Sequence, residues 1–178
     1  VGSEMCIRDS YYSRYDQPKG NELTAKTDQH KLYFHKVGEE QEADALIFGG
    51  DPNNKFRYVS GQVTEDQQYL IISGANSTSG NRLYVQNLED KSAPIRPVVE
   101  DESSDIYVLT SVEDTLYAYT NRDADNGRIV SFSYAASDPS SWVEVIEETE
   151  HVLTASTVGG FLFAEYMIDA ISAVKQFD

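Results

Sequence analysis

Short runs of apolar and aromatic residues recur along the chain at a near-constant interval, each followed by a polar loop and a second such run. Tyr69-Leu70-Ile71-Ile72-Ser73, Leu116-Tyr117-Ala118-Tyr119-Thr120 and Phe161-Leu162-Phe163-Ala164-Glu165 start 47 and 45 residues apart. Their followers, Leu83-Tyr84-Val85, Ile129-Val130-Ser131 and Val174-Lys175-Gln176, are offset by 46 and 45 residues, and an earlier member, Leu32-Tyr33-Phe34, lies 51 residues before Leu83. Runs this short, rich in Val, Ile, Tyr, Phe and Thr and bounded by polar turns, predict strands. Ahead of each Tyr69-type run the pattern predicts an innermost strand, over 58–63, 106–112 and 152–158, and outer strands over 45–48, 97–99 and 142–146. No segment of ten or more residues carries a 3.6-residue apolar period. The stretch 164–174 comes closest, and its place in the repeat makes it two strands around a turn at Asp169-Ala170.

A period near 45 residues is the length of one four-stranded propeller blade. With the strands of a blade lettered A to D, the chain reads BCD, ABCD, ABCD, ABC: all-β, 14 strands, about three and a half blades. The partial blades at the two ends do not complement each other, so the reading is an arc cut from a larger ring rather than a closed one. Such an arc leaves blade faces bare, which predicts a fragment. Residues 1–10 (VGSEMCIRDS) fit neither the repeat nor a leader pattern and are set apart as non-native sequence, leaving 11–178 as the partial propeller domain.

Charge narrows the partners. With 14 basic and 30 acidic residues the net charge is -16, a field that repels phosphate backbones, and Lys and Arg are scattered singly, so no nucleic-acid partner is expected. One cysteine, Cys6, excludes an internal disulfide framework. No apolar run approaches the ~18 residues of a membrane span, and no cofactor motif is present. Nothing before Tyr11 has the basic start and apolar centre of a secretory leader, and no compartment is read from the chain.

The candidate ligating residues read mostly as structure. His30 and His35 fall five apart on one strand and point to opposite faces. His151 sits in a solvated acidic linker, Glu147-Glu148-Thr149-Glu150. Asp123-Ala124-Asp125-Asn126-Gly127 has its glycine one place early for a calcium loop and Tyr134 where the closing glutamate belongs, so it reads as a turn. Gly49-Gly50 and Gly159-Gly160 lie 110 residues apart and skip two blades, unlike kelch repeats. Gly74-Ala75-Asn76-Ser77-Thr78-Ser79-Gly80 is a hairpin loop, not the G-x-S-x-G elbow of a nucleophilic serine. The aromatic residues are expected to fill the core between blades, with a peptide-facing role for Phe48 or Phe56 left open.

At Asp28-Gln29-His30-Lys31-Leu32-Tyr33-Phe34-His35, followed by Gly38, Gln41 and Asp44, the sequence resembles the prolyl oligopeptidase family of serine peptidases. The similarity runs through Tyr58-Val59-Ser60-Gly61, Thr64-Glu65-Asp66-Gln67-Gln68-Tyr69-Leu70 and Thr120-Asn121-Arg122 with Arg128-Ile129-Val130, and ends near 169–178. The order and spacing of these short motifs carry the resemblance over nearly the whole chain.

The resemblance implies part of a seven-bladed propeller joined in the same chain to an α/β-hydrolase catalytic domain. It implies an endopeptidase that cleaves short peptides after proline, with the propeller excluding folded proteins by steric selection. It also implies that Arg122, the arginine of the Thr-Asn-Arg motif, donates to a substrate backbone carbonyl. A guanidinium suits that task because it keeps its charge and offers several fixed donors. From residue chemistry alone Arg122 reads instead as a surface residue pairing with Asp123 or Asp125. No complete Ser-His-Asp set is present, so the segment alone is expected to be inactive. The competing function is a stand-alone propeller that binds other proteins; it would need complete blades and WD or kelch signatures, which this sequence lacks.

Overall fold

A computed structural model describes residues 9–16 and 29–177. The described residues form fourteen strands in four antiparallel meanders. The first sheet holds β1 (Asp9–Tyr15), β2 (His30–Lys36) and β3 (Ala45–Phe48). The second holds β4 (Tyr58–Val63), β5 (Tyr69–Ala75), β6 (Arg82–Asn87) and β7 (Arg96–Val99). The third holds β8 (Ile106–Val112), β9 (Thr115–Thr120), β10 (Arg128–Ser133) and β11 (Val143–Ile146). The last holds β12 (Leu153–Val158), β13 (Phe161–Ile168) and β14 (Ile171–Phe177). The strand count of three, four, four and three follows the repeat read from the sequence.

The repeat persists in the hydrogen-bond register. In each of the first three sheets the pairing with the outer strand shifts at one place: between Leu32 and Tyr33, between Leu83 and Tyr84, and between Ile129 and Val130. These are the same position of the repeat, and a bulge there bends the outer strand and increases its twist.

The core is divided into layers between sheets. Leu32 of the first sheet packs with Phe56, Val59, Leu70, Ile72 and Tyr84 of the second. Tyr69, Ile71, Leu83, Val85 and Val98 pack against Ile106, Leu116, Ala118, Val130 and Phe132 of the third. Ile129 and Ile146 then meet Leu153, Ala155, Ala164 and Tyr166 of the last. Strand β5 shows why the sequence loses its alternation there: Leu70 and Ile72 serve one layer, Tyr69 and Ile71 the next, so both faces are covered. Burying each such Leu or Ile contributes about 1.5–3 kcal/mol. On the last sheet, Met167, Ile171 and Val174 are exposed.

Strand β1 lies beside β4, and β8 beside β12. The β8–β9 register slips between Val108 and Thr110, and the carbonyl of the skipped Leu109 accepts from Thr157 Oγ1 of β12 at 3.1 Å. At the same end of the strands, Ser111 donates to Asp66 Oδ2 at 2.7 Å, tying the third sheet to the second.

Some expected boundaries move. The first strand begins at Asp9, so Asp9 and Ser10 of the segment set apart as non-native are paired with Lys36 and His35. The rest of that segment, Cys6 included, lies outside the described residues, as does Asp28. Gly74 and Ala75 belong to β5 rather than to the hairpin loop. A Cβ on Gly74 would lie 2.7 Å from Phe56 Cε1, so glycine at this strand position makes room for the Phe56 ring beneath it. No helix among the described residues is long and apolar enough to cross a membrane.

Candidate functional site

Arg122 leaves the end of β9 on a backbone fixed from both sides. The wholly buried Thr120 hydroxyl donates to the Asp105 carbonyl at 2.8 Å and accepts the Arg122 N–H at 3.1 Å. Asn121 accepts the Asp105 N–H on Oδ1 at 2.7 Å and donates its own N–H to the Asp105 carbonyl at 3.2 Å. The chain then turns through Asp123 at φ 53 and closes with the Gly127 N–H on the Ala124 carbonyl at 2.8 Å. The Asp123–Gly127 segment is therefore the turn expected of it.

The guanidinium does not pair with Asp123 or Asp125. Its Nη1 meets both carboxylate oxygens of Asp101, at 3.2 and 3.0 Å, across from the loop that follows β7. Sheet packing, not chain proximity, supplies this partner. The two residues sit at one end of a groove of about 770 Å³ between β7 and residues 135–141, lined also by Arg96, Glu100, Ser137 and Asp138. Arg96 lies over the Tyr134 ring, 4.7 Å from its centroid. The groove thus offers the guanidinium groups of Arg96 and Arg122 beside the carboxylates of Glu100, Asp101 and Asp138, and a guanidinium can donate to a backbone carbonyl.

Asp101 is held well below the ordinary carboxylate range, at about 2. The Ser103 hydroxyl and N–H are the main cause, with Arg122 adding to it. Because the folded value lies below 3.8, the unfolded chain binds more protons between about pH 4 and pH 2. Asp101 accordingly stabilises the fold above that window, and the contribution is lost as pH falls through it. Asp101→Ala is expected to reduce the slope of unfolding midpoint against pH between 4 and 2, by a small amount because the side chain is half exposed. An unchanged slope would count against this account.

The histidines keep separate company. His30 Nδ1 accepts the Val59 N–H at 2.9 Å, while His35 Nδ1 lies 2.7 Å from Asp44 Oδ1, which shares its carboxylate with the Tyr12 hydroxyl at 2.6 Å. His151 Nε2 is 3.7 Å from Glu150, and the acidic linker is anchored rather than loose, with Glu148 accepting the Asn126 N–H at 2.7 Å. Phe56 is buried and Phe48 packs on it, centroids 5.5 Å apart, so both serve the layer between the first and second sheets. A second groove, about 620 Å³, follows the seam of the last three sheets and holds the stacked pair Tyr107 and Tyr119, 4.8 Å apart. The sequence reading missed it, since its lining comes from β4, β5, β8 and β12 together.

Antiparallel meanders of three or four strands, stacked face to face with a buried layer between each pair, define a β-propeller, present here as an arc. The family model for the prolyl oligopeptidase N-terminal β-propeller domain matches residues 8–178. The chain belongs to that family. It is 44% identical over 169 residues to a prolyl endopeptidase of Elizabethkingia miricola and 45% identical over 169 residues to that of Elizabethkingia meningoseptica, covering 94% of this chain and 24% of each relative. It thus spans about a quarter of the length of the curated relatives it matches. A solved structure from a study of two prolyl endopeptidases superposes with a TM-score of 0.83 at 24% identity, over 96% of this chain and 24% of the other. Prolyl oligopeptidase B of Galerina marginata, bound to a 35-residue hydrolysis and macrocyclization substrate, does so at 0.79 and 21% identity, with the same coverage of both chains.

Proposed function

We propose that this chain is the substrate-gating part of a prolyl oligopeptidase, a serine-type endopeptidase that cleaves short peptides after proline. The observation that carries the reading is the match to prolyl endopeptidases at 44–45% identity over 94% of the chain. In this reading an α/β-hydrolase domain of the same protein supplies the serine, histidine and acid, and the segment alone is inactive. The propeller acts by exclusion: stacked sheets with dry layers between them form a stiff wall, and a folded protein cannot pass such a wall without unfolding.

Within the same reading Arg122 donates to a backbone carbonyl of the bound peptide. Its fixed backbone and its place at the groove support the role, and Asp101 holds the guanidinium in orientation. Losing a charged donor costs about 1.5–3 kcal/mol. Arg122→Ala in the intact protein should therefore lower kcat/KM on a short proline-containing peptide by about tenfold or more. Unchanged kcat/KM would remove Arg122 from the site. Gating is tested by offering the same protein a short peptide and a folded protein with an exposed proline loop; equal cleavage of both would overturn it.

A further inference from the structure

The three seams between sheets are closed by the same bond made with different chemistry. At each seam the N–H of a buried residue near the start of the next sheet's first strand is capped from the start of the strand that pairs with the preceding sheet's outer strand, β2, β6 or β10. Val59 donates to His30 Nδ1 at 2.9 Å, Ile106 to Asn81 Oδ1 at 2.9 Å, and Leu153 to the Asn126 backbone carbonyl at 2.8 Å. The positions correspond, since His30, Asn81 and Asn126 precede the buried Leu32, Leu83 and Ile129 by two, two and three residues. A second bond repeats at the first two seams, where His30 N–H donates to the Phe56 carbonyl at 2.9 Å and Asn81 N–H to the Ser104 carbonyl at 3.0 Å.

An amide oxygen and a backbone carbonyl accept at any ordinary pH, but an imidazole nitrogen accepts only while it is unprotonated. A backbone N–H can only donate, so in the closed seam Nδ1 of His30 bears no proton and Nε2 carries it. We propose that His30 makes the first seam a proton-sensitive joint: protonation of the imidazole removes the acceptor for Val59 and loosens the first sheet from the second, while the other two seams stay closed.

The surroundings of His30 fit this role. Its ring stacks on Tyr15 of β1 at 4.3 Å, and Tyr15 in turn donates its hydroxyl to the Arg57 carbonyl. The charged side chains on the flanking segments are Lys31, paired with Asp16 at 2.6 Å, together with Lys55 and Arg57. Burial pushes the imidazole below its ordinary value of 6.5. The open seam, with His30 in water, therefore binds a proton more readily than the closed one. Closure is fully favoured above about pH 6.5 and weakens as pH falls below it.

The test is hydrogen exchange on the intact protein at pH 7.5 and 5.0, read as protection factors corrected for the intrinsic pH dependence of exchange. In the wild type the Val59 amide should lose about tenfold in protection at the lower pH, while Ile106 and Leu153 change by less than about threefold. His30→Asn, which copies the chemistry of the second seam, should hold Val59 protection constant across the two pH values; His30→Gln serves the same purpose should the shorter amide not fold. A fall at Val59 no larger than at Ile106 and Leu153, or the same fall in the amide variants as in the wild type, would overturn the proposal.

Discussion

Replacing Gly80 with alanine is expected to destabilise the propeller by about 3 kcal/mol or more, far beyond the usual cost of a methyl group on a loop. Gly80 adopts φ +73, where a side chain is strained, and its Cβ would overlap the backbone carbonyl of Glu102. That neighbour is main chain, so it cannot swing aside as a side chain could. Gly80 N–H also donates to Asp105 Oδ1 at 2.7 Å, and the next residue, Asn81, closes the second seam. Moving Gly80 would displace both bonds. Gly159→Ala is the control, because Gly159 has φ +59 but nothing within 4 Å of the added carbon. It should cost only about 1–2 kcal/mol, the backbone penalty alone. Thermal unfolding of the propeller in the intact protein would distinguish the two; equal shifts in midpoint would refute the steric account.

Ile72→Ala is the second large effect. Ile72 is wholly buried between the first and second sheets, beside Leu70, Phe56 and Tyr84. Truncation removes three methyl or methylene carbons and leaves a void that strands on both sides, held by ladder bonds, cannot collapse to fill. The expected loss is about 2–5 kcal/mol. Val37→Ala, on a turn where the side chain is exposed, should stay within about 0.5 kcal/mol. Denaturant midpoints measured on the intact protein at constant m would show this contrast, and comparable losses at the two positions would contradict the layered core.

The architecture was legible because the layers demand apolar runs at a fixed interval. Tyr69, Leu116 and Phe161 announce the second strand of their sheets, and the 45–47-residue spacing fixes the sheet size. What the sequence hid was lateral. Arg122 has Asp123 and Asp125 for chain neighbours, yet pairs with Asp101, which reaches it only because the second and third sheets pack together. The seam acceptors were hidden for a related reason. His30 reads as a strand residue and Asn81 and Asn126 as residues beside turns, and their bonds run to strands 25 to 29 residues away. Their one recoverable signal is a shared place two or three residues ahead of the buried Leu or Ile in each repeat. Gly74 misled for the opposite reason: glycine among serines and asparagine reads as loop, and the Phe56 ring that demands it comes from an earlier loop.

Strand β5, apolar on both sides, has a consequence for how damage propagates. Units stacked in a row communicate only with those beside them, so a lesion's reach depends on how many neighbours it touches. A fault in β5 unsettles two contacts at once and would cut the row in its middle. The third sheet also faces two layers, so mutational tolerance should be lowest in the second and third sheets.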